Sequence, residues 1–240
     1  MIQTIGFDAD DTLWQNEHLY ADARRKYDAI LRSSASVNGH GIPANLDDIV
    51  HEIEVGNLPY YGYGITSFVM SLIETAIRVT DGRITGRELG EIQDIAKQMV
   101  AAEVELLDAV EETLADLSAD YPLILITKGD LLHQQKKVAR SGIEHYFVHV
   151  EVVSEKSPES YAQVLRRLDI IPERFVMVGN SMRSDILPVT ALGGRGIYVP
   201  NDQTWHFENA DLPEDAAESV IEANGMREVP ALIRRLDSDS

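Results

Sequence analysis

Cysteine is absent from the 240 residues, which excludes a disulfide framework, a thiolate metal site and a cysteine nucleophile. Bases are scarce as well: 21 Lys and Arg stand against 40 Asp and Glu, a formal charge of −19. So acidic a surface repels phosphate backbones and anionic lipid, so no nucleic acid and no membrane is expected as a partner. Long apolar runs are also missing, and no stretch reaches membrane length. The start, Met1-Ile2-Gln3-Thr4-Ile5-Gly6-Phe7, has neither the basic region nor the apolar stretch of a signal peptide. The expected location is cytoplasmic. What is present is 44% hydrophobic and 25% charged residues, the mixture of a folded domain. The length admits one large domain, or one domain carrying an insertion.

The apolar run Ile2 to Phe7 stops abruptly at Asp8-Ala9-Asp10-Asp11-Thr12, so the first thirteen residues hold three Asp and no Lys or Arg. Carboxylates this close repel one another, and burying them is costly without a compensating cation or proton. Either they face solvent or something positive comes to them. From Leu19 to about Val100 the pattern is helical: Leu19, Ala23, Tyr27, Ile30 and Leu31 share one face, as do Ile65, Phe68, Val69, Leu72, Ile73, Ala76 and Ile77. Leu89, Ile92, Ala96, Met99 and Val100 repeat the spacing, and Gly39, Gly41, Pro43, Gly56, Pro59 and Asp81-Gly82 divide the block into several helices. After about Leu107, helices alternate with short apolar strands at 122–126, 147–153, 175–178 and 196–199. Ser157-Pro158 has the form of an N-cap followed by proline at the first helical position. Strands rich in Val and Ile, separated by helices, predict an α/β fold. Its core is a Rossmann-like parallel sheet with helices on both faces, and an all-helical insertion follows the first strand. The core is expected at 1–14 and 108–240 and the helical cap at 15–107. The tail from Asp237 to Ser240 is expected to fray.

In such sheets, ligands bind beyond the carboxyl ends of the strands. Four strands here end in polar groups: Asp8 and Asp10; Thr127-Lys128; Ser154-Glu155-Lys156; and Gly179-Asn180-Ser181, with Asp185 beyond. The carboxylates suit a hard cation such as Mg²⁺, which prefers oxygen ligands and keeps some water. Hydroxyl, lysine and backbone N–H groups suit an oxyanion. A carboxylate can approach a phosphate once metal and lysine offset the charge.

Four ordered motifs, Asp8-Ala9-Asp10-Asp11-Thr12 (D-x-D-x-T), Thr127, Lys156 and Asp185, resemble those of the haloacid dehalogenase superfamily, with a helical cap inserted after the first motif. The resemblance implies a Mg²⁺-dependent phosphatase acting on a small phosphorylated metabolite through an aspartyl-phosphate. It makes Asp8 the nucleophile and Asp10 the general acid, then the base. The Asp8 carboxylate, the Asp10 backbone carbonyl and Asp185 would hold the metal. Thr127, Lys156 and backbone N–H groups following Asp8, that of Ala9 among them, would bind phosphoryl oxygens. Lys128 either touches the phosphate or simply offsets the carboxylates. One carboxylate must be unprotonated to attack while the second is protonated to donate, and neighbouring charge can push the two apart.

Two positions depart from the family pattern. Asp11 replaces the usual glycine and is expected to cap the following turn. Asn180 replaces the first acid of the fourth motif, which leaves Asp185 as the carboxylate of that loop and Asn180 behind it. Pro188 is tolerable only near the first turn of the next helix. The alternatives are a 2-haloacid dehalogenase, which needs no metal and which Asp10 and Asp185 oppose, a phosphomutase, or a catalytically decayed binding domain. A calcium loop is excluded by Leu13 and Leu19 where glycine and glutamate belong. His145 and His149 sit at a strand entry rather than as a helical zinc pair. The segment Gly179 to Arg183 fails the G-x-S-x-G pattern at its last position, and Gly193-Gly194 reads as a helix C-cap. Tyr60, Tyr61 and Tyr63 either line the substrate side of the insertion or pack between helices, the latter preferred.

Overall fold

The structure, a computed structural model, describes residues 1–38 and 41–238. It divides into two compact units, Met1–Glu17 with Val104–Ser240 and His18–Glu103. In the first unit the apolar runs form β1 (Thr4–Phe7), β2 (Leu123–Lys128), β3 (Phe147–Val153), β4 (Phe175–Gly179), β5 (Arg195–Tyr198) and β6 (Val220–Glu222). Every pairing is parallel, and the order across the sheet is β3-β2-β1-β4-β5-β6. The chain thus moves outward from β1 on one side, then returns to the other side of β1. Where the order reverses, the connections leaving β1 and β4 diverge and open a crevice at their carboxyl ends. Register brings the ends level: Phe7 lies opposite both Leu125 and Val178.

Alternation along the strands builds a core on each face. Leu123, Leu125, Val176 and Val178 point to one side, where they meet Leu13, Trp14, Val138 and Ile233. Ile124, Ile126, Phe175 and Met177 point to the other, against Tyr161, Val164 and Leu165. The helices on these faces are α5 (Val110–Ser118), α6 (Leu131–Ser141), α7 (Pro158–Arg167), α8 (Leu187–Thr190) and α9 (Val229–Ser238), following the four of the other unit. Ser157 caps α7 by accepting from Ser160 N, and Pro158 occupies the first turn. Pro188 sits at the start of the short α8, where no amide is needed.

The second unit is all-helical: α1 (Glu17–Asn38), which begins at the last residue of the first unit, then α2 (Leu46–Tyr61), α3 (Ile65–Val79) and α4 (Gly86–Ala101). Its core takes Ala23, Tyr27 and Leu31 from α1, Phe68, Leu72 and Ala76 from α3, and Ile92 and Met99 from α4. The Tyr27 hydroxyl donates to Leu72 O at 2.9 Å.

Several sequence expectations meet corrections here. Ile77 is exposed although it completes the α3 stripe, and Tyr60 and Tyr61 are exposed rather than packed between helices. β6 and α9 were not expected at all. The tail does not fray at Asp237: its carboxylate accepts from Ile2 N at 2.5 Å and from the Tyr121 hydroxyl at 3.1 Å, within a helix that runs to Ser238. Gly39, Asp239 and Ser240 lie outside the described residues.

Candidate active site

Asp8 begins where β1 ends, and its amide continues the sheet by donating to Val178 O at 2.9 Å. The chain then folds back tightly. Ala9 O accepts from Leu13 N at 2.8 Å, and Asp11 takes the left-handed conformation (φ +60°). The turn leaves Thr12 behind the first aspartate: its hydroxyl lies 2.9 Å from Asp8 Oδ2 and accepts from Asn180 N at 3.0 Å, tying the β1 and β4 loops together. Asp11 caps the chain ahead of α1, accepting from Asn16 N and Glu17 N at 2.9 and 3.1 Å. Burial, helped by the charges of Asp10 and Asp8, nonetheless pushes its carboxyl up to about 6.

Lys156, immediately before the cap of α7, is buried together with two carboxylates. Its ammonium is 2.5 Å from Asp8 Oδ1 and 2.6 Å from Asp185 Oδ1. Burial alone would lower this lysine, but Asp185 and Asp8 on either side hold it well above its ordinary range. Burial and the nearby Asp8 charge push Asp185 upward, against the pull of Lys156. Asp185 reaches this position from a turn of π-helix, Met182–Ile186, through Ser181 N, which donates to its Oδ2 at 2.9 Å. Gly179 makes room: a Cβ there would stand 2.3 Å from Asp185 Oδ2.

Asn180 is buried beside them. The inward end of its amide lies 3.1 Å from Thr12 Oγ1, 3.2 Å from Asp10 O and 3.3 Å from Asp8 Oδ2. Facing two acceptors that cannot donate, that end is the NH₂, and the carbonyl end accepts from Thr204 Oγ1 at 2.7 Å. Thr127 is buried at the end of β2.

Asp10 points elsewhere. Trp14 Nε1 donates to its Oδ1 at 2.6 Å, Gln134 Nε2 donates to its Oδ2 at 2.8 Å, and Lys137 forms an ion pair with it. Burial alone would raise Asp10, but Lys137, with Gln134 and Trp14, holds it below the ordinary carboxylate range. Sequence reasoning foresaw a protonated Asp10, whereas this arrangement favours its ionised form. Lys128 is also committed: it pairs with Glu208 Oε1 at 2.5 Å and donates to Ser184 Oγ at 2.8 Å.

The structure therefore gathers Asp8, Thr12, Lys156, Asn180 and Asp185 into one bonded network, with the Asp10 side chain and Lys128 directed to separate partners. Trp14, Gln134, Lys137, Ser184 and Glu208 were not singled out from the sequence. Gln134 and Lys137 carried a readable signal, since they share the buried face of α6 with Val138 and Ser141. Glu208 carried none.

Among the described residues, no three side chains of His, Cys, Asp or Glu converge as a metal cluster. What converges is two carboxylates across one ammonium, with the Asp10 main-chain oxygen facing the same Asn180 amide as Asp8. This set of hard oxygens suits Mg²⁺, which accepts one or two carboxylates and fills its remaining positions with water.

A family model for haloacid dehalogenase-like hydrolase matches residues 2–193. The chain belongs to the haloacid dehalogenase-like hydrolases. A crystal structure of a member from Xanthomonas campestris superposes on this hydrolase with a TM-score of 0.85 at 40% identity, covering 99% of this chain and 93% of that one. Among curated relatives, a protein from Methanothermobacter thermautotrophicus named glyceraldehyde 3-phosphate phosphatase is 37% identical over 120 residues. That match spans about half of each chain, 48% of this hydrolase and 49% of the relative. A second protein of the same name, from Pyrococcus furiosus, is 23% identical across 100% of this chain and 95% of its own length. No helix among the described residues is long and apolar enough to cross a membrane.

Proposed function

We propose that this hydrolase is a phosphatase that removes the phosphoryl group of a small phosphorylated metabolite by way of an aspartyl-phosphate on Asp8. The observation that carries this reading is the pair of buried carboxylates, Asp8 and Asp185, held on either side of the Lys156 ammonium at 2.5 and 2.6 Å. Two anions and one cation in so dry a place are suited to a ligand that brings both a negative phosphoryl group and a divalent ion. The Asp8 and Asp185 carboxylates and the Asp10 main-chain oxygen would hold Mg²⁺, whose chemistry there is to offset carboxylate charge and polarise the phosphoryl oxygens.

The remaining steps belong to the chain's own residues. An Asp8 carboxylate oxygen attacks phosphorus, the bond to the leaving oxygen breaks, and that oxygen takes its proton from Asp10, which must first take one up from solvent because Lys137, Gln134 and Trp14 favour its ionised form. Water then attacks phosphorus and gives a proton to Asp10, which releases inorganic phosphate and restores Asp8. Lys156, Thr127 and the backbone N–H of Ala9 bind phosphoryl oxygens through both steps. The donors around Asp10 favour the ionised form, the one that accepts a proton from water in the second step. They also weigh against dehalogenation, which has no use for a carboxylate so heavily provided with donors. The all-helical unit 18–103 acts as the cap that selects the leaving group, and glyceraldehyde 3-phosphate, on the names of the relatives, is the first substrate to try.

The test is an assay with Mg²⁺ of an aryl phosphate, glyceraldehyde 3-phosphate and other phosphorylated metabolites, with a 2-chloro acid as the rival substrate. Asp8→Asn should fold and lose phosphate release. Turnover of the chloro acid in chelator, or undiminished phosphate release by Asp8→Asn, would refute the reading.

A further inference from the structure

Glu208 is buried at the end of a single 3₁₀ turn, His206–Glu208, in the loop-rich segment that follows β5. Its carboxylate collects donors from two strand ends: Lys128 Nζ at 2.5 Å on Oε1, and on Oε2 Ser181 Oγ at 2.7 Å and Ser184 Oγ at 2.5 Å. Burial alone would raise this carboxyl, but Lys128 and the two serines hold it below its ordinary range. A buried carboxylate is tolerated only when charge and hydrogen bonds compensate it this fully.

The two serines belong to the turn that carries Asp185. Ser181 Oγ accepts from Ser184 N at 2.9 Å, Ser181 O accepts from Asp185 N at 2.9 Å, and Ser181 N donates to Asp185 Oδ2 at 2.9 Å. The direction of the Asp185 carboxylate is therefore set inside a closed loop of five residues, and Glu208 grips that loop at two of them. The same segment is fastened at other points along its length. Thr204 bonds Asn180 at 2.7 Å, and Asn201 Nδ2 donates to Asp11 O at 3.0 Å. The Arg183 guanidinium lies 4.1 Å from the Phe207 ring centroid, and Phe207 stacks on Trp205 at 4.9 Å. One stretch after β5 thus reaches the loops of β1 and β4 and the end of β2.

We propose that Glu208 is a positioning residue: it braces the Ser181–Asp185 turn so that Asp185 faces Asp8, and it draws Lys128 into that brace. The inference rests on the reading of Asp185 as a Mg²⁺ ligand. Groups behind a metal ligand are commonly worth about 10- to 100-fold in metal affinity. The experiment is isothermal titration of Mg²⁺ alone into the wild-type protein, Glu208→Ala, Glu208→Gln, Ser184→Ala and Asp185→Asn, with thermal unfolding recorded for each. Glu208→Ala should bind Mg²⁺ about tenfold more weakly. Glu208→Gln keeps an oxygen for the serines and should recover part of that loss, which a general loss of stability would not predict. Ser184→Ala, which leaves the pair with Lys128 intact, should weaken binding measurably and decides the matter alone if Glu208→Ala does not fold. Wild-type affinity in Glu208→Ala or Ser184→Ala, with binding lost in Asp185→Asn, overturns the role of Glu208 and leaves the metal reading standing. Wild-type affinity in Asp185→Asn overturns the metal reading itself, and this inference with it.

Discussion

Replacing Asp11 with Asn should make the protein more stable, and by an amount that depends on pH. Asn tolerates the left-handed backbone at this position as well as Asp does (φ +60°). Its Oδ1 can accept the same two amides, Asn16 N and Glu17 N, so the cap survives. What disappears is a buried negative charge beside Asp10 and Asp8, whose cost shows in a carboxyl pushed from 3.8 to about 6. The folded state binds this proton more tightly than the unfolded chain. The carboxyl's contribution is therefore fully present below pH 3.8 and is lost as pH rises through about 6. At about 1.4 kcal/mol per tenfold, the variant gains about 3 kcal/mol at pH 8, roughly half of that at pH 5, and nothing in strong acid. Urea unfolding in chelator at pH 5 and pH 8 measures the difference. An equal gain at both values, or a variant less stable than wild type at pH 8, would refute the electrostatic account of Asp11.

Gly179→Ala should damage both site and stability, because the new Cβ would stand 2.3 Å from Asp185 Oδ2 and 2.4 Å from its Cγ. The expected cost is about 1–3 kcal/mol, read by urea unfolding, with phosphate release lost as Asp185 is displaced. Lys156→Met leaves Asp8 and Asp185 buried without their shared cation. It should cost about 3–5 kcal/mol at pH 8 and less at pH 5, where the upward-shifted Asp185 takes a proton. A loss independent of pH would count against that assignment.

How far the sequence revealed the site depended on where each partner came from. Asp8, Lys156 and Asp185 were readable as neighbours because each follows an apolar run, and a parallel sheet delivers all such ends to one edge. The Ser157-Pro158 cap placed α7 for the same local reason. The direction of the Asp10 side chain was beyond reach, since its partners Gln134 and Lys137 lie 124 and 127 residues away on α6. Their helix was visible between the strands at 122–126 and 147–153, but a stripe read for apolar residues passes over a lysine and a glutamine on the same buried face. Glu208 was hidden more deeply, in a segment whose local regularity is a single 3₁₀ turn. β6 and α9 escaped because a three-residue strand offers no period, and the polar end of α9 was read as a tail.

The two crossings between the units lie side by side in the first unit. Trp14 bridges Leu106 in antiparallel fashion, Gln15 N donates to Glu105 O at 2.9 Å, and Leu107 N donates to Leu13 O at 2.9 Å. Residues 18–103 therefore leave and re-enter through one doorway, already stitched shut by main-chain bonds. The stem has the geometry of a hairpin whose tip has been exchanged for eighty-odd residues, so a short turn could replace the whole excursion without rethreading the sheet. Such a plug-in arrangement lets a lineage, or an engineer, exchange the inserted helical unit while the sheet and its strand-end network stay in place.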